Sequence, residues 1–281
     1  MNAPVTEAGW DLAEAAAVLD AAATGAAPVA QLTATAPLGL DAAYDVQRLL
    51  IERRTARGER PSGVKLGFTS RTKAAQMGVF DVIFGRLTDA MRLPDGARIS
   101  LDAYVHPRVE PEVAFRLAVD VGPGDTVDPE AAVDAVAPAL EIIDSRYRDF
   151  RFTLEDVVAD NTSAAGYVLG PWIALADAGD LANRGVRLEI DGRTADTGST
   201  AAILGHPLRA VHAALRRARE LGHPLRAGDV LLAGAATPAV ALTPGSHIEA
   251  TVTGLGRAAF TVADATADGA TAPAATIRNP S

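Results

Sequence analysis

Apolar residues recur at helical spacing in the first stretch of the chain, then gather into short runs separated by turn-forming residues. Residues 11–24 carry Leu12, Ala15, Ala16 and Leu19 at intervals that share one face of a helix. A second helix is predicted from Asp41 as its N-cap, with Val46, Leu49 and Leu50 on the buried side and an end near Gly58. The Ala/Pro/Thr-rich stretch 25–38 joins the two. Strand-like runs follow at 63–68, 97–101, 108–119, 139–143, 165–174 and 186–190. A helix over about 207–221 sets Val211, Ala214 and Leu215 against a solvated face of Arg216, Arg217 and Arg219. Four further strands, 229–233, 239–242, 247–253 and 257–262, are broken by Gly-Asp and Pro-Gly turns. This order predicts an α+β chain: an N-terminal helical region (1–62), a β-rich catalytic core (63–264) and a disordered Ala/Thr/Gly/Pro-rich tail (265–281).

Composition narrows the function classes. With 281 residues, 48% hydrophobic and 22% charged, the chain has the make-up of a globular protein. A net charge of −9 argues against a nucleic-acid surface. No apolar run reaches the roughly 18 residues of a membrane span. The first 47 residues hold acids but no Lys or Arg, which argues against a basic-headed signal peptide. The expectation is a cytoplasmic protein. The absence of cysteine removes disulfides, thiolate metal sites and cysteine nucleophiles.

The informative chemistry is acidic. Glu110 and Glu112, two apart in an apolar strand, point to the same side. Like charges held together away from water repel and lose hydration, and a hard divalent cation such as Mg²⁺ or Mn²⁺ relieves both costs. Alternating acids on a solvent-facing strand are the plain alternative. Among 26 basic residues only Lys65 and Lys73 are lysines. Lys65 lies in the apolar run Gly63-Val64-Lys65-Leu66-Gly67-Phe68, where burial would lower its pKa, although a lysine snorkelling from a strand edge fits as well. The five histidines show no metal-binding spacing; His106, four residues before Glu110, is the one placed near the acids. The Gly234-Ala235-Ala236-Thr237-Pro238 loop has small residues that admit a ligand to backbone amides, or it is a simple turn.

Several blocks in order resemble the fumarylacetoacetate hydrolase superfamily, in its hydratase/decarboxylase branch. They are Gly63 to Ser70, Arg108-Val109-Glu110-Pro111-Glu112-Val113-Ala114-Phe115, Glu141-Ile142-Ile143-Asp144-Ser145-Arg146 and Val158-Ala159-Asp160-Asn161. Leu225 to Val230, Pro244 to His247 and Gly254-Leu255-Gly256 continue the match, which spans about residues 10–262. The resemblance implies a mixed β-roll core behind an N-terminal helical part. It implies an Mg²⁺ or Mn²⁺ ion on Glu110, Glu112 and Glu141, with Lys65 and Asp160 as catalytic residues. Leu66, Ser163, Gly234, Ala235 and Thr237 are the implied substrate contacts. The implied activity is decarboxylation of 2-oxo-3-hexenedioate in aromatic catabolism, with 2-oxopent-4-enoate hydration as the alternative. A C–C hydrolase and a non-catalytic partner are weaker fits. Ile83, where hydratases of the branch carry an aspartate, and His106 before Pro107 favour the decarboxylase, with Asp81 as a substitute acid one or two residues away. The stretch Ala164-Ala165-Gly166-Tyr167 matches neither subgroup. Arg146 is expected either to clamp a substrate carboxylate or to pair with an acid such as Asp144. Implied partners are a small 2-oxo acid, further copies of the chain and the hydratase of the same pathway.

Overall fold

Asp11 caps the first helix, α1 (Leu12–Thr24), its carboxylate accepting the N–H groups of Ala13 and Glu14. In the computed structural model, residues 11–70 and 81–265 are described. Leu12, Ala15, Ala16 and Leu19 are all buried. The second helix, α2 (Leu40–Ala56), begins one residue before the expected cap. Gly39 is its N-cap, and Asp41 lies in the first turn, where its charge complements the helix dipole. Gln47, buried on α2, donates to the carbonyls of Phe84 and Val158, which ties the helix to the sheet beneath.

Among the described residues, fourteen strands follow in two sheets. The larger contains, in spatial order, β2 (Ile83–Thr88), β1 (Pro61–Gly67), β11 (Val230–Ala235), β5 (Pro107–Leu117), β6 (Val133–Asp144), β7 (Ala164–Leu169) and β3 (Arg92–Leu93). The short β12 (Val240–Ala241) pairs with β5, and β8 (Ile173–Ala174) with β6. The smaller sheet runs β10 (Arg193–Ser199), β9 (Gly185–Ile190), β13 (His247–Val252), β14 (Gly256–Val262) and β4 (Ala97–Ile99). Pairing is mixed: β1–β11, β3–β7 and β14–β4 are parallel, and the other ladders are antiparallel. Among the described residues, the further α-helices are α3 (Leu154–Ala159), α4 (Leu175–Ala178) and α5 (Leu208–Glu220). The architecture is therefore α+β, with helices ahead of curled mixed sheets.

One core lies between the larger sheet and the helices, built on Leu19, Val46, Phe84, Phe115, Tyr147 and Val211. A second joins the sheets, with Leu140, Ile142 and Val168 against Leu188, Ile248 and Phe260. No described helix is long and apolar enough to cross a membrane. Beyond Ala265 the expected tail lies outside the described residues, as does Lys73.

Several elements differ from the sequence expectation. β6 is twelve residues long, not the five of 139–143, because its first half is buried on both faces and shows no alternation. The run 165–174 breaks at Gly170-Pro171 into β7 and β8. The run 97–101 ends at Ile99, after which Leu101–Ala103 forms a 3-10 turn. β2, β10 and α3 had no counterpart in the sequence reading. In β2 the apolar run is interrupted by Gly85-Arg86, and α3, at six residues, is shorter than the window in which helical periodicity registers.

Candidate active site

Glu110 on β5 is the direct cross-strand partner of Glu141 on β6, and Glu112 follows two residues along the same face. Carboxylate oxygens of all three lie within 4.8 Å of one another. Glu112 and Glu141 are 1% exposed. A β-bulge in β11 between Leu232 and Ala235 turns the N–H of Gly234 out of the ladder and onto Glu112 Oε2, at 2.8 Å. Gly234 has φ 105°, and a Cβ there would meet Thr69 Oγ1 at 2.1 Å, so the bulge requires glycine. Glu112 Oε1 and both oxygens of Glu141 are buried and receive no hydrogen bond from the described residues.

Lys65 supplies the counter-charge from β1. Its Nζ donates to Thr162 O at 3.0 Å and stands 3.2 Å from Glu141 Oε2, a charge contact whose angles fall short of a hydrogen bond. Gly85, opposite on β2, leaves space for the lysine stem; a Cβ there would lie 2.9 Å from Lys65 Cδ. Burial lowers the ammonium's pKa, but Glu141, Glu112 and Glu110 together outweigh it, and the result is raised. This corrects the expectation of a lowered value, which considered burial without the facing carboxylates. Burial lifts the Glu141 carboxyl to about 7 against the pull of Lys65. Glu112 is raised well above its ordinary value by burial first and by Glu141 second. Among the described residues, Lys65 is the cation that faces the two buried carboxylates, Glu112 and Glu141. Buried carboxylate oxygens of hard character, with Glu112 Oε1 and Glu141 Oε1 lacking a hydrogen-bond partner among the described residues, fit a divalent cation that prefers oxygen ligands.

A cavity of about 110 Å³ opens beside this group, lined by Lys65, Leu66, Glu110, Thr162, Ser163 and Ala235 at its polar end. Ile83, Ile143, Phe150, Phe152 and Val157 form an apolar wall. Asn161, Thr162 and Ser163 all have left-handed φ, near 50°, a costly run for three non-glycine residues. The Asn161 side chain holds that run in place, accepting from Arg86 N and donating to Arg86 O, both at 2.8 Å. The hydroxyls of Thr162 and Ser163 are buried with no hydrogen-bond partner among the described residues.

The region 63–263 matches the family model described as Fumarylacetoacetate (FAA) hydrolase C-terminal. The chain belongs to the fumarylacetoacetate hydrolase family. Within the family it is 49% identical over 246 residues to a 4-oxalocrotonate decarboxylase of a Pseudomonas species, covering 86% of this chain and 94% of the relative. It is 40% identical over 246 residues to a 2-keto-4-pentenoate hydratase of Paraburkholderia xenovorans strain LB400, covering 86% and 91%. A solved 4-oxalocrotonate decarboxylase from Pseudomonas putida G7, complexed with magnesium and adipate, superposes with a TM-score of 0.84 at 33% identity, over 89% of this chain and 97% of that one.

The fold thus brings together Lys65, Leu66, Glu110, Glu112, Glu141, Ser163 and Ala235, while Gly234 acts behind the cavity by donating to Glu112. Asp160 and Thr237 are not on the cavity wall. Asp160 is fully buried against Arg146, accepting from its backbone N at 3.0 Å and from its Nε. Burial raises Asp160 to about 6, with Arg146 opposing the rise. The pair places Arg146 in its structural alternative, with Asp160 as the acid, and takes Asp160 away from the cavity; Asp144 instead accepts the N–H groups of Val105 and His106. His106 turns Nδ1 to Ser145 O, at 3.0 Å. Asp81 is held by Arg216 of α5 at 2.6 Å and does not line the cavity, so it is no replacement acid at position 83. Thr162, Phe150 and Phe152 escaped the sequence reading. Their signal was proximity to the Glu141 to Arg146 and Val158 to Asn161 blocks.

Proposed function

We propose that the chain is a divalent-metal-dependent lyase that decarboxylates 2-oxo-3-hexenedioate (4-oxalocrotonate) to 2-hydroxypenta-2,4-dienoate. The observation that carries this reading is the convergence of three carboxylates, Glu112 and Glu141 buried and Glu110 half-buried, at the edge of a cavity with a largely apolar wall. Glu110, Glu112 and Glu141 would hold Mg²⁺ or Mn²⁺, which supplies Lewis-acid polarisation of the substrate's 2-oxo group. Loss of CO₂ breaks the C5–C6 bond and moves its electrons through C4 and C3 onto the C2 oxygen, which takes up one proton. Lys65 places its ammonium on the side of the cavity where that negative charge develops, and its Nζ can deliver the proton. Thr162 O fixes the ammonium's position. Ile143, Phe150, Phe152 and Val157 exclude water from the carbon chain, which favours release of CO₂ over addition of water.

Ile83 bears on the choice between decarboxylase and hydratase. It is buried, lines the cavity and offers no proton acceptor where water activation would need one. The 49% identity to a named decarboxylase, against 40% to a named hydratase, points the same way. Incubation of purified protein with 2-hydroxymuconate and Mg²⁺, which supplies the 2-oxo tautomer, tests this. Metal-dependent CO₂ release is expected, and hydration of 2-hydroxypentadienoate without CO₂ release would reverse the assignment. We extend the family's pattern to assembly, inferring a homo-oligomer that associates with the pathway's hydratase; light scattering on the chain alone and with that enzyme checks both.

A further inference from the structure

The outward-facing side of β5 does not end at the acids. Residues 108, 110 and 112 share one face, so the row reads Arg108, Glu110, Glu112 from the outer end inward, with His106 in the bend just before the strand. Arg108 lies half-buried over the ring of Phe150, with its guanidinium carbon 4.1 Å from the ring centroid. His106 meets the same ring edge-on at 6.4 Å, and Phe152 flanks it at 5.5 Å. Phe150 lines the cavity, and the backbone accepts left-handed φ at both Asp149 and Phe150 to put it there. No described carboxylate lies in ion-pair distance of Arg108, whereas Arg53, Arg57, Arg146 and Arg216 each have one.

We propose that Arg108, stacked on Phe150, receives the distal carboxylate of a 2-oxo diacid and so makes the site selective for diacids over monoacids. This rests on the substrate class read above and adds the residue that distinguishes its two ends. The charge balance calls for such a group. The carboxylate trio with its cation and Lys65 can accommodate the 2-oxo acid head, but among the described residues that line the cavity no second cation faces a distal carboxylate, and Arg108 stands just behind the lining Phe150. The spacing suits it: two residues of strand place Arg108 about 7 Å from Glu110 along β5, near the length of an extended six-carbon chain. Stacking leaves the in-plane N–H groups of the guanidinium free for a two-point contact with a carboxylate.

Two probes with identical heads separate the ends: 2-oxoadipate, and 2-oxohexanoate, which lacks the distal carboxylate. Calorimetry on the full chain with Mg²⁺ is expected to show Arg108→Gln losing at least roughly tenfold in 2-oxoadipate affinity while 2-oxohexanoate changes less than about twofold. Arg108→Lys, keeping charge without the fork, should recover part of the loss. With 2-oxo-3-hexenedioate, KM should rise in step while kcat moves less than about threefold. Equal losses for both probes, or no loss for either, overturn the proposal. Because these measurements need no turnover, a wild-type protein that prefers 2-oxoadipate through Arg108 yet releases no CO₂ would remove the decarboxylase reading and leave the diacid subsite standing.

Discussion

Lys65 has a backbone carbonyl at one side of its ammonium and Glu141 at the other, and that position defines its chemistry. A volume-matched Lys65→Met removes the charge and the transferable proton while keeping the stem against Gly85. It should lower kcat by about 10²-fold or more, the scale of a general acid–base group, and lower metal affinity much less. Steady-state kinetics paired with Mg²⁺ titration checks this; a loss confined to metal affinity would take Lys65 out of the chemistry. Glu112→Gln should behave in the opposite way. It removes a metal ligand, so Mg²⁺ affinity should fall by more than the roughly 10- to 100-fold that an outer partner costs. It also removes a desolvated charge, so the metal-free variant should melt above the metal-free parent. At this scale the acids and Lys65 were legible because a charge inside an apolar run stands out. Thr162, Phe150 and Arg108 were not, because a hydroxyl and an aromatic ring become informative only when left-handed turns bring them to one cavity, and an arginine only when it stacks on that ring.

Among the elements, α3 and the turn after it depend on Asp156. Its carboxylate accepts from Thr33 N, Thr33 Oγ1, Gln31 Nε2 and Thr153 N at 2.7–3.0 Å, and its backbone carbonyl accepts from Tyr147 Oη. Asp156→Ala strands several buried donors and should cost roughly 3 kcal/mol of stability, measured by urea denaturation, with Mg²⁺ affinity of the folded fraction kept. A cost under roughly 1 kcal/mol would show that this hub does not hold the turn bearing Thr162 and Ser163. The long amphipathic helices and the alternating strands could be read from periodicity, because one of their faces meets water. The doubly buried half of β6, the six-residue α3 and the Gly-Arg interruption of β2 could not. In those places tertiary burial, not local pattern, sets the structure.

For the whole molecule, the buried acids couple stability to pH. A carboxyl raised to about 7 in the fold binds protons more tightly there than in the unfolded chain. In that window the native state holds more protons, so stability falls as pH rises from about 4.5 to about 7 and then levels off. Metal-stripped protein should therefore melt higher at pH 5.5 than at pH 7.5, and calorimetric scans should show saturating Mg²⁺ closing the gap by stabilising the pH 7.5 form. A gap of the opposite sign would mean that the acids are already compensated within the chain.

The central claim is that Glu110, Glu112 and Glu141 grip one divalent cation between β5 and β6. Anomalous diffraction from a crystal soaked in Mn²⁺ tests it most directly. The account predicts a single strong peak within bonding distance of oxygens from all three glutamates, beside Lys65. Carboxylates left without a peak between them, or manganese bound elsewhere on the chain while that position stays empty, would contradict it.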